Sequence, residues 1–295
     1  MNALSRPIQA ANQNAALTPR AGEAKAFSIK GLKAEVARLE RLGAVATGAI
    51  ARSRLHDQMV RLGVPEVDTH LPWGGLPCGA LHELAGEGAD REQAAAAAGF
   101  AALWLARLQA AGPVLWIARA PGRAAIDLHA HGLKQLALDP QRLILVAARR
   151  DDEALWAMEE GLKAKGLGAV LGEIGRLDLT ASRRLQLAAE ASGVTAFVLR
   201  RWRLMTTAER EAARPIAAMT RWRIASIPGE GACHWQVALT RCRGGKPAAW
   251  TLEQADGPEN LHAAPLSGDL AEVMVGRSLV ADAAQRAHRT ERRAG

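Results

Sequence analysis

Gly74-Gly75-Leu76-Pro77-Cys78-Gly79-Ala80-Leu81-His82-Glu83-Leu84-Ala85-Gly86, continued by Glu87-Gly88-Ala89-Asp90-Arg91-Glu92-Gln93, is the stretch on which the fold turns. Its glycines and proline read as a turn. Ala80 to Ala85 reads as a strand ending at Gly86, and Arg91 to Ala111, rich in alanine, reads as a long helix. Strand, glycine-bearing loop and helix in that order open a βαβ unit.

Downstream the alternation repeats. Apolar runs at Val114 to Ala118, Leu143 to Ala147, Ala169 to Leu171 and Val194 to Leu199 read as strands. Between them come helical patterns around Ala124 to His131, from an Asp151-Asp152 cap to Lys165, and from Thr180 to Ala191. Beyond Pro215 the helices stop, and Thr220 to Ile227, His234 to Cys242 and Ala248 to Glu253 read as strands separated by Pro-Gly-Glu-Gly and Gly-Gly-Lys-Pro turns. The expectation is an α/β fold whose mainly parallel sheet is flanked by helices and carries antiparallel strands on its C-terminal side.

Upstream, residues 1–28 show no periodicity and read as a flexible leader. Residues 29–62 form an N-terminal helical segment, because Ile29, Leu32, Val36, Leu39 and Leu42 recur at helical steps. The stripe Leu32, Val36 and Leu39 must be covered by the chain's own domain or by another protein, and the expectation is a docking helix. Residues 63–255 make the α/β domain, and 256–295 read as a loose polar tail.

The chain has 295 residues, 49% hydrophobic and 23% charged, which excludes fibrous and wholly disordered classes. The apolar run Ala94 to Ala106 is 13 residues long, short of the roughly 20 that a spanning helix needs. No membrane association is expected. The N-terminus lacks an apolar signal core, and Cys78, Cys233 and Cys242 lack metal-ligand spacing, so a reducing cytoplasm is the expected setting. His129 and His131 lie two apart on a helix pattern, which splays their rings, so no metal site is expected. No nucleophile context is recognisable, and no catalytic residue is assigned.

Basic residues number 38 against 30 acidic, a net +8. Thr195 to Trp250 alone holds ten basic residues against three acidic, including Arg200, Arg201, Arg203, Arg221, Arg223, Arg241 and Arg243. The tripeptide Arg-Trp-Arg occurs at 201–203 and again at 221–223, where Arg221 and Arg223 share a strand face opposite Trp222. A tryptophan between arginines can stack a base while the guanidiniums meet phosphate, or it can be buried with the charges left outside. Arg200, Arg201, Trp202, Arg203, Arg221, Arg223, Arg241 and Arg243 are therefore candidates for weak non-specific DNA binding or for a protein partner.

The thirteen residues from Gly74 to Gly86 resemble the entry to the ATPase core of RecA-type proteins, where this motif leads into the phosphate-binding loop. Such a loop requires G-x-x-x-x-G-K-[ST]. Counting from Gly86, the second glycine is Arg91, the lysine is Glu92 and the hydroxyl residue is Gln93. A carboxylate in place of the lysine turns attraction for a triphosphate into repulsion, a swing of several kcal/mol at ~4 Å and an effective dielectric of ~20. Glu173, ending the strand Ala169 to Leu171, matches the family's magnesium-binding acid but has no lysine or hydroxyl to work with. The degenerate positions are thus Gly86, Arg91, Glu92, Gln93 and Glu173, and no cofactor is expected.

Within RecA-like proteins, LPWGGLPCGALHEL, AVLGEIGRLDLTASRRLQLAAEASGVTAFVLRRWR and TRWRIAS resemble the ImuA family of bacterial SOS mutagenesis cassettes. The resemblance implies a non-catalytic adaptor in error-prone translesion synthesis. Its implied partners are RecA, the inactive polymerase relative ImuB and a C-family polymerase, in the cytoplasm or at the damaged nucleoid. The rival readings are a SulA-like SOS-induced division inhibitor and a RecA-like ATPase with an unorthodox loop.

Overall fold

The computed structural model describes residues 25–28, 31–32, 34–38, 59–120, 128–228, 233–254 and 261–264. The chain begins with β1 (Lys25–Ser28), a short helix α1 described at 31–32 and 34–38, β2 (Met59–Val60), α2 (Pro65–Asp68) and β3 (Leu76–Pro77). The α/β succession is β4 (Leu81–Gly86), α3 (Asp90–Leu108), β5 (Val114–Arg119), α4 (Ala130–Gln135), β6 (Leu143–Ala148), α5 (Asp151–Lys163), β7 (Ala169–Ile174), α6 (Leu179–Ser192) and β8 (Thr195–Arg200). It ends with α7 (Met205–Ala212), β9 (Thr220–Ser226), β10 (Cys233–Cys242), β11 (Ala248–Gln254) and β12 (Leu261–Ala264).

Ten strands form one sheet in the order β1-β6-β5-β7-β8-β4-β9-β10-β11-β12. Pairing is parallel from β1 across to β9 and antiparallel from β9 to β12. This is the expected α/β core, a mainly parallel sheet with antiparallel strands on its C-terminal side, and β4 is held between β8 and β9. Alternate side chains of the central strands enter two cores, as the two-residue period of a strand requires. Trp116, Leu171, Phe197 and Leu199 join the core under α3. Ile117, Val170, Ala196 and Val198 join the core under α5 and α6. With both faces covered, these strands read as almost continuous apolar runs.

Helix α3 is alanine-rich because it lies against the sheet: Ala94, Ala97, Ala101 and Ala102 are buried beside Phe100 and Trp104. Its carboxyl end is tied down by Gln109, whose amide donates to the Asp139 carbonyl at 2.9 Å and accepts from the Asp139 N–H at 2.8 Å. Asp178 caps α6 by accepting from Ala181 N–H at 2.7 Å, and Gly193 ends it at φ 79°.

Several expectations are corrected. Lys25–Ser28, placed in the leader, pairs as an edge strand with β6; residues 1–24 lie outside the described residues. The segment 29–62 is not wholly helical, since Met59–Val60 pairs with Leu76–Pro77. The helix expected at 124–131 is described at Ala130–Gln135, with 121–127 outside the described residues. Helix α7 is an addition. Leu261–Ala264, placed in the loose tail, extends the sheet beside β11; residues 265–295 lie outside the described residues. Short edge strands escape a sequence reading because their neighbours define them.

The docking helix is corrected too. Leu32 is 1% exposed and Val36 7%, both within the core under α5 and α6, so the apolar stripe is covered by the chain's own domain. Leu39 lies outside the described residues. Among the described residues no helix is long and apolar enough to cross a membrane.

His82, inside β4, is fully buried and neutral: its Nε2–H donates to the Pro77 carbonyl at 3.0 Å, and its Nδ1 accepts from the Thr220 hydroxyl at 2.9 Å. That hydroxyl in turn accepts from Trp222 Nε1 at 2.8 Å. Burial, only partly offset by the Pro77 carbonyl, lowers the His82 pKa from 6.5 to about 4.

Two outcomes follow from this packing. Leu32→Asp with Val36→Asp is expected to lower the thermal transition of the whole domain, by about 2 kcal/mol or more per buried side chain. A double variant that melts like its parent would show α1 to be free of the core. The unfolded chain protonates His82 near pH 6.5 and the folded one only near 4, so stability present above pH 6.5 is lost as pH falls towards 4. Between pH 7 and 5 the parent should lose about 2 kcal/mol by urea unfolding and His82→Gln much less; equal slopes would contradict the assignment.

Candidate functional site

Strand β4 delivers the chain to the loop Glu87–Ala89 at the C-terminal edge of the sheet, the edge where open α/β folds place ligands. In a phosphate loop the free N–H groups of such a turn face the anion. Here Glu87 N–H donates to the Ile224 carbonyl at 2.8 Å and Asp90 N–H to the Trp202 carbonyl at 2.7 Å. Gly88 has φ 96°, and a Cβ on it would stand 2.8 Å from Met205 Sδ, so α7 lies directly over the loop.

Two of the degenerate positions, Gly86 and Gln93, are engaged in the packing of the loop and helix. A Cβ on Gly86 would meet Gln93 Cβ at 2.8 Å, so the glycine allows α3 to close on β4. Gln93, where a hydroxyl would hold magnesium, accepts from Ser226 N–H at 2.6 Å. Glu92 is exposed, and the Arg91 side chain lies outside the described residues. Burial pushes the Asp90 carboxyl up against the opposing pull of Arg201.

Glu173 is 4% exposed and fully engaged. Its Oε1 accepts from Arg201 Nη2 at 2.8 Å and Trp116 Nε1 at 3.2 Å, and its Oε2 accepts from Arg119 N–H at 3.1 Å. Arg201 also donates from Nη1 to the Ala94 carbonyl in the first turns of α3, at 3.1 Å. One guanidinium thus bridges the acid of β7 and the helix that follows the loop. Asp151, read as a helix cap, instead accepts from Gly175 N–H at 2.9 Å, Arg176 N–H at 2.7 Å and Arg119 Nη2 at 2.8 Å, and so holds the turn after β7.

A second network lies on β4, β8 and β9. The register sets Glu83 opposite Arg221, and Ala85 between Arg200 and Arg223. Arg221 donates to Glu83 and, from Nη2 and Nη1, to the Ala212 and Arg214 carbonyls at 2.9 and 3.2 Å, closing the C-terminus of α7. Arg200 pairs with Glu211 at 3.1 Å and stands 3.6 Å from Glu83. The guanidiniums of Arg200 and Arg223 flank the Trp202 ring at 5.2 and 5.3 Å, and Trp202 Nε1 donates to the Gly175 carbonyl at 2.9 Å. Burial alone would raise the Glu83 carboxyl, but Arg221, Arg223 and Arg200 outweigh it and hold it at about 2. Burial lowers Arg223 to about 10.

The expected Arg-Trp-Arg surface is therefore corrected. Arg200, Arg201, Trp202, Arg221 and Arg223 are all buried, because β8 and β9 are covered on both faces and their charges find internal carboxylates. Arg203, Arg241 and Arg243 are exposed. They do not share one face: Arg203 follows β8 at the phosphate-loop edge, whereas Arg243 follows β10, which runs antiparallel to β9 and ends at the opposite edge. Sequence reasoning assigned no individual role to Glu83 and Glu211 and read Asp151 only as a helix cap. The signal for Glu83 was a carboxylate inside an otherwise apolar strand; its arginine partners are visible only from the register.

No family profile matches the chain. Two curated relatives do, each named Protein ImuA, from Caulobacter vibrioides strains NA1000 / CB15N and ATCC 19089 / CIP 103742 / CB 15. Each is 37% identical over 237 residues, covering 75% of this chain and 94% of the relative. Among solved structures, a KaiC-like protein from the hyperthermophilic archaeon Pyrococcus horikoshii OT3 aligns with 70% of this chain and 99% of its own at TM-score 0.47 and 16% identity. At 37% identity over three quarters of its length, the chain belongs to the ImuA family.

Proposed function

We propose that this chain is a non-catalytic, RecA-like adaptor in SOS-induced, error-prone translesion DNA synthesis, linking RecA with ImuB and a C-family polymerase. Family membership supports the setting. The reading of inactivity rests on one observation, the Arg201 bridge between Glu173 and the Ala94 carbonyl. A magnesium nucleotide needs a free acid on the strand, a cation for the phosphates and free loop amides. In this chain the acid is paired with Arg201, the lysine position holds Glu92, and the Glu87 and Asp90 amides are bonded to carbonyls. Opening a buried ion pair leaves a charge uncompensated, at a cost of about 3–5 kcal/mol, and Glu92 then repels the ligand. The partner-binding role falls to surfaces other than the Leu32–Val36 stripe, which is covered.

The purified protein is expected to show no magnesium-dependent binding of a fluorescent ATP analogue at micromolar concentration and no hydrolysis; competition by ATP would overturn the inactive reading. Glu173→Gln, in a chain that still folds, should leave damage-induced mutation frequency unchanged, and a tenfold loss would mean that the acid still works. Crosslinked purification from DNA-damaged cells is expected to recover RecA and polymerase-type proteins. Recovery of a tubulin-like septal protein in their place would overturn the adaptor reading.

A further inference from the structure

The edge of the sheet opposite the phosphate loop carries basic residues to which the adaptor reading gives no task. The β10–β11 turn projects Arg243, Gly244 and Lys246 into solvent. It is a fixed structure: Arg243 N–H donates to the Met219 carbonyl at 2.9 Å, Gly244 has φ 75°, and His70 Nε2 donates to the Lys246 carbonyl at 3.0 Å. The His70 ring is itself held edge-on against Trp250, centroids 5.3 Å apart. Gly245 lies so close to Pro72 that a Cβ would stand 2.9 Å from the proline ring. The loop Pro72-Trp73-Gly74 is thereby placed beside the turn, and on its other side Arg61 Nε donates to the Gly74 carbonyl at 3.3 Å. Trp73, in the middle of that loop, is partly buried and packs on the main core.

The nearby acids do not cancel this charge. Asp68 is buried and its carboxylate accepts from Leu62 and Gly63 N–H at 2.8 and 2.9 Å, leaving Glu66 as the exposed acid of α2. Arg107, half-buried, adds a further cation at the Leu62 carbonyl.

We propose that Trp73, Arg61, Arg243 and Lys246 form a docking surface for single-stranded nucleic acid, with a base stacked on the indole and the cations on the flanking phosphates. A partly exposed tryptophan in a loop flanked by exposed cations suits a chain that alternates flat bases with single negative charges. An acidic protein surface would use the cations but not the ring face. No base edge is read, so the binding is indifferent to sequence and sensitive to salt. The proposal goes beyond the adaptor reading and can fail alone, since a chain that captures its protein partners without touching DNA would keep the one and lose the other.

The test is fluorescence anisotropy of a labelled oligo-dT of about 30 nucleotides with the full chain, at salt from about 50 to 200 mM. Arg243→Glu with Lys246→Glu should weaken binding at least tenfold and flatten the salt slope by about 1.4, near 0.7 for each phosphate no longer neutralised. Trp73→Leu should weaken it about tenfold with the slope unchanged. Arg203→Glu, at the opposite edge, should bind as the parent does, and circular dichroism melts should be alike for all four proteins. Absence of binding by the parent at about 50 mM salt would overturn the proposal, as would a loss caused by Arg203→Glu and not by the turn variant. Unchanged oligonucleotide binding with lost capture of an acidic partner protein would make the surface a protein dock, and the proposal would again fail.

Discussion

A carboxylate at the centre of a sheet covered on both faces keeps its charge only if the protein supplies the counter-charge that water no longer can. Glu83 is in that position, and the structure around the loop is organised by the answer. Three arginines from two neighbouring strands converge on it, one of them also closes the end of α7, and another pairs with Glu211 of that helix. Helix α7 is thereby fastened over the loop, where Met205 meets Gly88. The same arginines hold Trp202, whose carbonyl takes the Asp90 amide at the start of α3. Loop, helix and sheet edge are joined through one buried set of charges.

The Glu173–Arg201 pair extends this logic to the place where nucleotide chemistry would sit. An enzyme of this architecture must keep its acid hydrated or metal-bound and its loop amides free, which leaves the site underpacked until ligand arrives. In this chain the guanidinium of Arg201 pairs with that acid from within and ties it to the Ala94 carbonyl in the first turns of α3. Removing either partner would strand the other in the interior, which makes the arrangement hard to reverse by a single substitution.

Much of this architecture was legible because it depends on period and punctuation. The turn at Gly74–Gly79, the strand ending at Gly86 and the alternation of apolar runs with helical patterns give the sheet its class, and Glu92 in the lysine position is plain from spacing. The direction of the arginines was not legible. In TRWRIAS the alternation places Arg221 and Arg223 on one face and Trp222 on the other, and for a strand with one wet face that would put the charges outside. Strand β9 instead lies between β4 and β10 with helices on either side, and the partner that makes burial tolerable, Glu83, is 138 residues away in sequence. The stripe of α1 shows the converse: its period is visible, but whether it covers its own core or a partner's depends on where the helix lands.

The two ends of the sheet have consequently exchanged the roles that composition suggests. At the edge where β4 meets its loop, Arg200, Arg201, Arg221 and Arg223 are buried and engaged internally, while Arg203 is exposed. Charge left for a partner must be charge without an internal carboxylate, and where the antiparallel strands turn back Arg243 and Lys246 are exposed in one turn, near the loop whose Gly74 carbonyl Arg61 meets. The antiparallel addition to the parallel core is what creates that turn, because β10 returns to the edge from which β4 and β9 start. Burial of charge at one edge and exposure of charge at the turn thus follow from the same sheet order.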